Sequence, residues 1–180
     1  MKIDINRADA ARWGLLLLMC ALHSSCYEVY DSEKDALFEC DNVVVFPDMG
    51  LQTAVRTTIA KPEGDIYLID VAGLSSLNAS AYNVFDLTGI QCLSGLNVLN
   101  LAYNSISDIS ALSSLSNLTQ LDLSYNRVVD LSPLVDNAGL GSSDWVNLDG
   151  NSFYCSDNAA LSNITALVNR GVVVENNCGW

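Results

Sequence analysis

The chain has 180 residues, 50% of them hydrophobic, with 21 acidic against 8 basic side chains and a formal net charge of −13. That length suits one domain with a real core and leaves no room for a second of ordinary size. Such an acidic surface repels polyphosphate, which excludes nucleic acid as a partner. The single histidine, His23, lies in a segment read below as an export signal. The mature chain therefore has no imidazole for catalysis or zinc binding.

Lys2, Arg7 and Arg12 precede an uncharged apolar run from Trp13 to Leu22, the order of a secretory signal over residues 1–25. As a helix this run rises about 15 Å, half of a bilayer's hydrocarbon core, so it cannot serve as a permanent span. No later unbroken apolar run is as long. Ser24 and Ser25 before Cys26 resemble a bacterial lipobox, in which the cysteine is lipidated and becomes the mature N-terminus; His23 departs from the leucine usual there. Simple cleavage nearby, with a soluble product, is the alternative. An uncleaved core helix is disfavoured, because nothing polar alternates within the run.

Residues 26–42 form an acidic leader or tether, with Glu28, Asp31, Glu33, Asp35, Glu39 and Asp41 against Lys34 alone. An exported chain keeps disulfides. Cys155 and Cys178 look like one bridge across the C-terminal segment, whereas Cys40 and Cys92 stay open, either of them free or paired. No C-x-x-C occurs, so neither a redox motif nor a zinc ribbon is supported.

Residues 43–73 read as an N-terminal cap. Val43 to Phe46 predicts a short strand, and after Pro47, Asp48 can N-cap a helix whose stripe is Leu51, Ala54, Val55, Thr58 and Ile59. Pro62 and Gly64 are expected to end it.

Residues 74–153 carry an internal repeat. Leu96, Leu99, Leu101, Asn104, Ile106, Asp108, Ile109 and Leu112 recur 22 residues later as Leu118, Leu121, Leu123, Asn126, Val128, Asp130, Leu131 and Leu134. A degenerate earlier copy runs through Leu74, Leu77, Ala79, Val84, Asp86, Leu87 and Ile90. Val146, Leu148, Asn151 and Phe153 continue the register at an offset of 25, with the extra residues expected in the loop Ala138 to Gly141.

These positions spell L-x-x-L-x-L-x-x-N, so the chain resembles the leucine-rich repeat family. The 22-residue period and the D-I-S-x-L and D-L-S-P-L segments make it similar to the bacterial internalin type. The resemblance implies an α/β solenoid: a short parallel β-sheet, a 3-10 or irregular convex side, and helical N- and C-terminal caps. No surface-sorting module follows the repeats before Trp180, so the resemblance implies no particular receptor. Stacking is obligatory physically as well, since one turn cannot bury its leucines alone. Asn104, Asn126 and Asn151 are expected as a buried ladder that satisfies backbone groups. Residues 154–180 read as the second cap: a helix starting at Ser156 or Asp157, with Leu161, Ile164, Leu167 and Val168 on one stripe, stopped by Gly171 before a strand at Val172 to Val174.

Asp86, Asp108 and Asp130 form a column that suggests calcium, but no D-x-D-x-D-G loop accompanies them, and capping of the next turn explains them better. Gly139, Gly141, Ser142 and Ser143 lack the ending of a phosphate loop. Asp122 and Asp149 resemble a glycosidase pair only in residue type, since nothing encloses them. Asn78, Asn117 and Asn163 begin N-x-S/T triplets, which matter only in a eukaryotic source. The candidate binding face is the outward side of the strands: Ser76, Asn78 and Ser80; Val98, Asn100 and Ala102; Gln120, Asp122 and Ser124; Trp145, Asn147 and Asp149, with Tyr103 and Tyr125 just beyond. Asn100, Gln120, Asp122, Tyr125, Trp145 and Asn147 are the expected partner-binding residues. The expectation is an exported protein-interaction module at a bacterial cell envelope, either lipid-anchored or secreted, without catalysis, cofactor or metal. It touches membrane only through an N-terminal lipid. The alternative is a carbohydrate-binding envelope protein that stacks sugars on Trp145, Tyr125 and Tyr103.

Overall fold

The computed structural model describes residue 40 and residues 42–178. The segment expected as an export signal, Cys26 and nearly all of the acidic stretch expected as a leader lie outside the described residues.

Five strands of three residues each form one parallel sheet in sequence order: β1 (Ser76–Asn78), β2 (Val98–Asn100), β3 (Gln120–Asp122), β4 (Trp145–Asn147) and β5 (Val173–Glu175). Registry aligns Leu77, Leu99, Leu121, Val146 and Val174. The first four of these are fully buried, because strand alternation turns the middle residue inward. The chain returns to each next strand through compact turns on the convex side: 3-10 turns at Ile90–Cys92 and Ser110–Ser114, then the short helix α3 (Ser132–Asp136). Pro133 stands in the first turn of α3, where the missing N–H costs nothing. Asp86, Asp108 and Asp130 each accept the N–H two residues on, from Thr88 (2.8 Å), Ser110 (2.8 Å) and Ser132 (2.9 Å). These bonds start the convex turns.

A carboxamide ladder joins the turns. Asn104 accepts from Val84 N, Asn126 from Ile106 N and Asn151 from Val128 N, at 2.9, 3.0 and 3.0 Å. Each Nδ2 donates to a carbonyl of its own turn and one of the turn before. Leu101 O is thereby shared by Asn104 and Asn126, and Leu123 O by Asn126 and Asn151.

The insertion lies later than expected. Leu140 is buried and holds the position of Leu96 and Leu118, so the 22-residue period persists to that point. The extra residues fall between Leu140 and Trp145, in a loop closed by Gly141 N donating to Asp144 Oδ2 (2.8 Å). Gly139 belongs to the regular turn, where a Cβ would run into the Ser116 carbonyl.

At the N-terminal end, α1 (Met49–Thr58) buries Leu51, Ala54 and Val55, and Asp48 caps it by accepting from Leu51 N. Thr58 is exposed rather than part of the stripe. The helix stops before Pro62, because Ala60 turns left-handed (φ 54°) and Lys61 N reaches Arg56 O at 3.0 Å. Val43 to Phe46 is not a strand: a single bridge joins Val43 to Tyr67, with Val44 N donating to Ile66 O. Pro47, lacking an N–H, cannot extend the ladder. The short helix α2 (Leu68–Val71) follows.

The C-terminal helix α4 (Asn158–Asn169) is capped by Asp157 and buries Ala160, Ile164 and Leu167. Val168 is exposed, so the apolar stripe is narrower than its sequence suggests. Two disulfides clamp the ends, Cys155 to Cys178 and Cys40 to Cys92. The second ties the leader to the first convex turn, which places both cysteines that the sequence left open. Among the described residues no helix is long and apolar enough to cross a membrane.

Candidate functional site

Two columns of outward side chains cross the sheet. One is Ser76, Val98, Gln120, Trp145 and Val173; the other is Asn78, Asn100, Asp122, Asn147 and Glu175. Asn100, Gln120, Asp122, Trp145 and Asn147 therefore share one face. The third outward positions do not all join them. Ala102 and Ser124 are buried, at 3% and 4% exposure, since the strands end after three residues and the alternation no longer holds there.

The second column has a structural duty that the sequence reading missed. Asn78, Asn100, Asp122 and Asn147 each accept, through Oδ1, the N–H two residues on, at 3.0, 3.0, 2.9 and 3.0 Å. The signal was present as an Asn or Asp closing each of the first four strands, a residue type that favours such turns. With Oδ1 committed to a donor, the Nδ2 of each Asn and the second oxygen of Asp122 are left to hydrogen-bond a partner. These polar groups are held in place before any partner arrives, which lowers the ordering cost of binding.

Beyond the strand ends runs a third column: Ala81, Tyr103, Tyr125 and Gly150, all with positive φ (61°, 56°, 54° and 68°). The two tyrosines are exposed, and their rings stack with centroids 4.5 Å apart and planes 7° from parallel. Gly150 makes room for the stack, since a Cβ there would lie 2.8 Å from the Tyr125 ring.

The face is acidic. Asp122, Asp149 and Glu175 lie on the strands or immediately after them, whereas no strand carries a lysine or arginine. Of the four described cations, the exposed Arg127 stands two residues beyond Tyr125, and the other three sit elsewhere. Arg56 donates to the carbonyls of Lys61 and Gly64, Arg170 to those of Asn137 and Val135, and Lys61 pairs with Asp70 at 2.6 Å. The Lys61 hydrogen bond, helped by Tyr67 N–H, holds the Asp70 carboxyl below its ordinary range. Asp48, buried at 1% exposure, serves two purposes: besides capping α1 it accepts from Phe85 N (2.8 Å) and Asp86 N (3.2 Å), clipping the first turn to the cap.

On the convex side lies a shallow depression of about 260 Å³, lined by Phe85, Asp86, Leu87, Thr88, Asp108, Ser110 and Ala111. Its two carboxylates each commit one oxygen to a backbone N–H. Among the described residues no three metal-ligating side chains converge.

Residues 94–136 match the leucine-rich repeat family model in two copies. The solved structure of an internalin (InlF) from Listeria monocytogenes superposes with a TM-score of 0.59 at 30% identity, covering 68% of this chain and 35% of its own length. The functional domain of InlJ from the same organism aligns at 29% identity over 59% of this chain and 23% of its own (TM-score 0.49). The CBM51-2 and INT domains of Clostridium perfringens ZmpB, in complex with GlcNAc, align at 32% over 51% of this chain and 19% of theirs (TM-score 0.45). These last two superpose too loosely to carry argument. No curated protein sequence matches. The present chain spans about a third of the length of the InlF structure.

The repeat motif, the five-stranded parallel sheet and the carboxamide ladder make this a leucine-rich repeat protein. Its 22-residue period and its likeness to the InlF structure place it with the bacterial internalin type.

Proposed function

We propose that the chain is an exported protein-interaction module of the bacterial cell envelope that binds its partner on the concave sheet face. The observation that carries this reading is the pre-ordered second column. Side-chain groups of Asn78, Asn100, Asp122 and Asn147 are fixed by backbone N–H bonds, yet each presents its other polar atom outward beside Trp145 and Gln120. Rigid polar groups around an aromatic anchor are the ingredients of an interface with low ordering cost. Two disulfides, with the apolar run at Trp13 to Leu22, support folding outside the reducing cytosol. Lipidation of Cys26 would make residues 27–39 a tether to the membrane.

The test is affinity for a protein captured from envelope extracts. Trp145→Ala should weaken it about 30-fold, the value of a central aromatic anchor. Asp122→Lys should weaken it with a clear salt dependence. Asp108→Asn, on the convex margin, should leave it unchanged. Unaltered binding by both concave variants would refute the assignment. The stacked tyrosines favour a second reading, a carbohydrate ligand, for which a glycan array gives the direct comparison.

A further inference from the structure

The Tyr103–Tyr125 stack is costly to build. A left-handed backbone is disfavoured for a side-chain-bearing residue, and asparagine or glycine would avoid most of the cost. One aromatic stack does not offset two such residues. Folding alone gives no reason to place tyrosines there.

The stack also has one closed end and one open end. The backbone repeats along the column, with Ala81 N on Ala102 O (3.0 Å), Tyr103 N on Ser124 O (2.9 Å) and Tyr125 N on Asp149 O (2.7 Å). Gly150 lies against the outer face of Tyr125. At the other end stands Ala81, whose methyl group cannot cover the Tyr103 ring, and Tyr103 remains 60% exposed. One more planar group would continue the stack.

The charges beside it select the kind of planar group. Asp122 and Glu175 close strands β3 and β5 and Asp149 follows β4, three carboxylates on the sheet side against one exposed cation near the stack, Arg127, two residues beyond Tyr125. A flat cation satisfies both features, stacking on the ring while pairing with a carboxylate. Guanidinium does this, whereas the compact ammonium of lysine has no plane to stack.

We propose that Tyr103 and Tyr125 form the docking site for arginine side chains of a basic, extended segment of the protein partner. This rests on the reading of the concave face as the interaction surface and adds its chemistry. The acidic leader of the chain itself is excluded as occupant by like charge.

The test uses the exported chain and a short synthetic peptide of alternating glycine and arginine, with citrulline and lysine versions and a chitin oligosaccharide as a neutral ring. The arginine peptide should bind, more weakly as salt rises; the lysine peptide should bind less well, and the citrulline peptide and oligosaccharide should not. Tyr103→Asn suits the left-handed backbone, so it removes the ring while keeping the fold, which its melting temperature checks. It should weaken the arginine peptide about 10-fold. Equal binding of the citrulline peptide, preference for the oligosaccharide, or no effect of Tyr103→Asn would overturn the proposal. With the envelope partner the two readings separate. If Trp145→Ala weakens it and Tyr103→Asn does not, the concave face stands and the arginine site falls; if neither variant has an effect, both fall.

Discussion

Asn126 is the most buried member of the carboxamide ladder, at 6% exposure, and Asn126→Ala should be among the most damaging polar substitutions in the domain. The wild-type side chain accepts from Ile106 N and donates to Leu101 O and Leu123 O. The two carbonyls keep a second donor each, from Asn104 and Asn151. Ile106 N–H alone is left with no partner, in a place water reaches poorly. An orphaned buried donor costs about 1–3 kcal/mol, and the weakened carbonyls and the small void bring the total to about 2–4 kcal/mol. For a domain of this size that is a drop of about 6–12 °C in melting temperature. Urea unfolding followed by far-UV circular dichroism measures it directly. Asn126→Asp sharpens the test, because it keeps the acceptor for Ile106 N–H but sets a carboxylate against two carbonyl oxygens. Its folded-state pKa should rise above the unfolded value of about 3.9. The penalty should therefore be absent below that value, grow as pH rises toward the folded pKa, and stay at its full size above it. A loss below 1 kcal/mol for Asn126→Ala, or no recovery of Asn126→Asp in acid, would refute the ladder as a source of stability.

Asn100→Ala removes one part-buried bond from Ala102 N and should cost only about 0.5–1.5 kcal/mol in the same urea assay. Reduction by dithiothreitol should lower stability by about 4 kcal/mol for the Cys40–Cys92 pair and about 3 kcal/mol for Cys155–Cys178, following their loop lengths, as separate Cys→Ser pairs would show. Because Lys61 holds the Asp70 pKa down, that pair's contribution is present above the ordinary carboxylate range and lost as pH falls through the lowered value. In Lys61→Met the Asp70 titration followed by NMR should move upward. Expressed in a bacterium, the protein should lose residues 1 to about 25, with mass spectrometry showing a diacylglyceryl Cys26 or a free cleaved end; an intact N-terminus in the cytosol would refute export.

The leucines were legible because a 22-residue period fixes which side chains meet: Leu99 and Leu121 are partners in register as well as in sequence. Asn104, Asn126 and Asn151 were legible for the same reason. Local signals read well too, as at Asp48 and Asp157, where a side chain acts on a backbone three or fewer residues away. What stayed hidden depends on distant chain. The reach of Asp48 to Phe85 N crosses 37 residues, and Cys40 meets Cys92 across 52, with no periodicity to announce either. The insertion was misplaced because Ala138 to Gly141 has the composition of a loop, whereas Gly139 is there for a close approach to Ser116. On the candidate face, alternation correctly set Asn100 and Trp145 outward but failed at Ala102 and Ser124, past the strand ends. The left-handed tyrosines cannot be read from residue type, since they need the backbone, whereas the side-chain turns of the second column had a signal in the Asn or Asp at the strand ends that went unused.

The central claim is that a protein partner sits on the concave face. A photo-crosslinking amino acid placed at Gln120, exposed on that face, and in a second variant at Ser114, exposed on the convex side, tests it in intact cells. The account predicts a discrete protein adduct from Gln120 and none from Ser114. Adducts from Ser114 alone, or identical adducts from both, would contradict it.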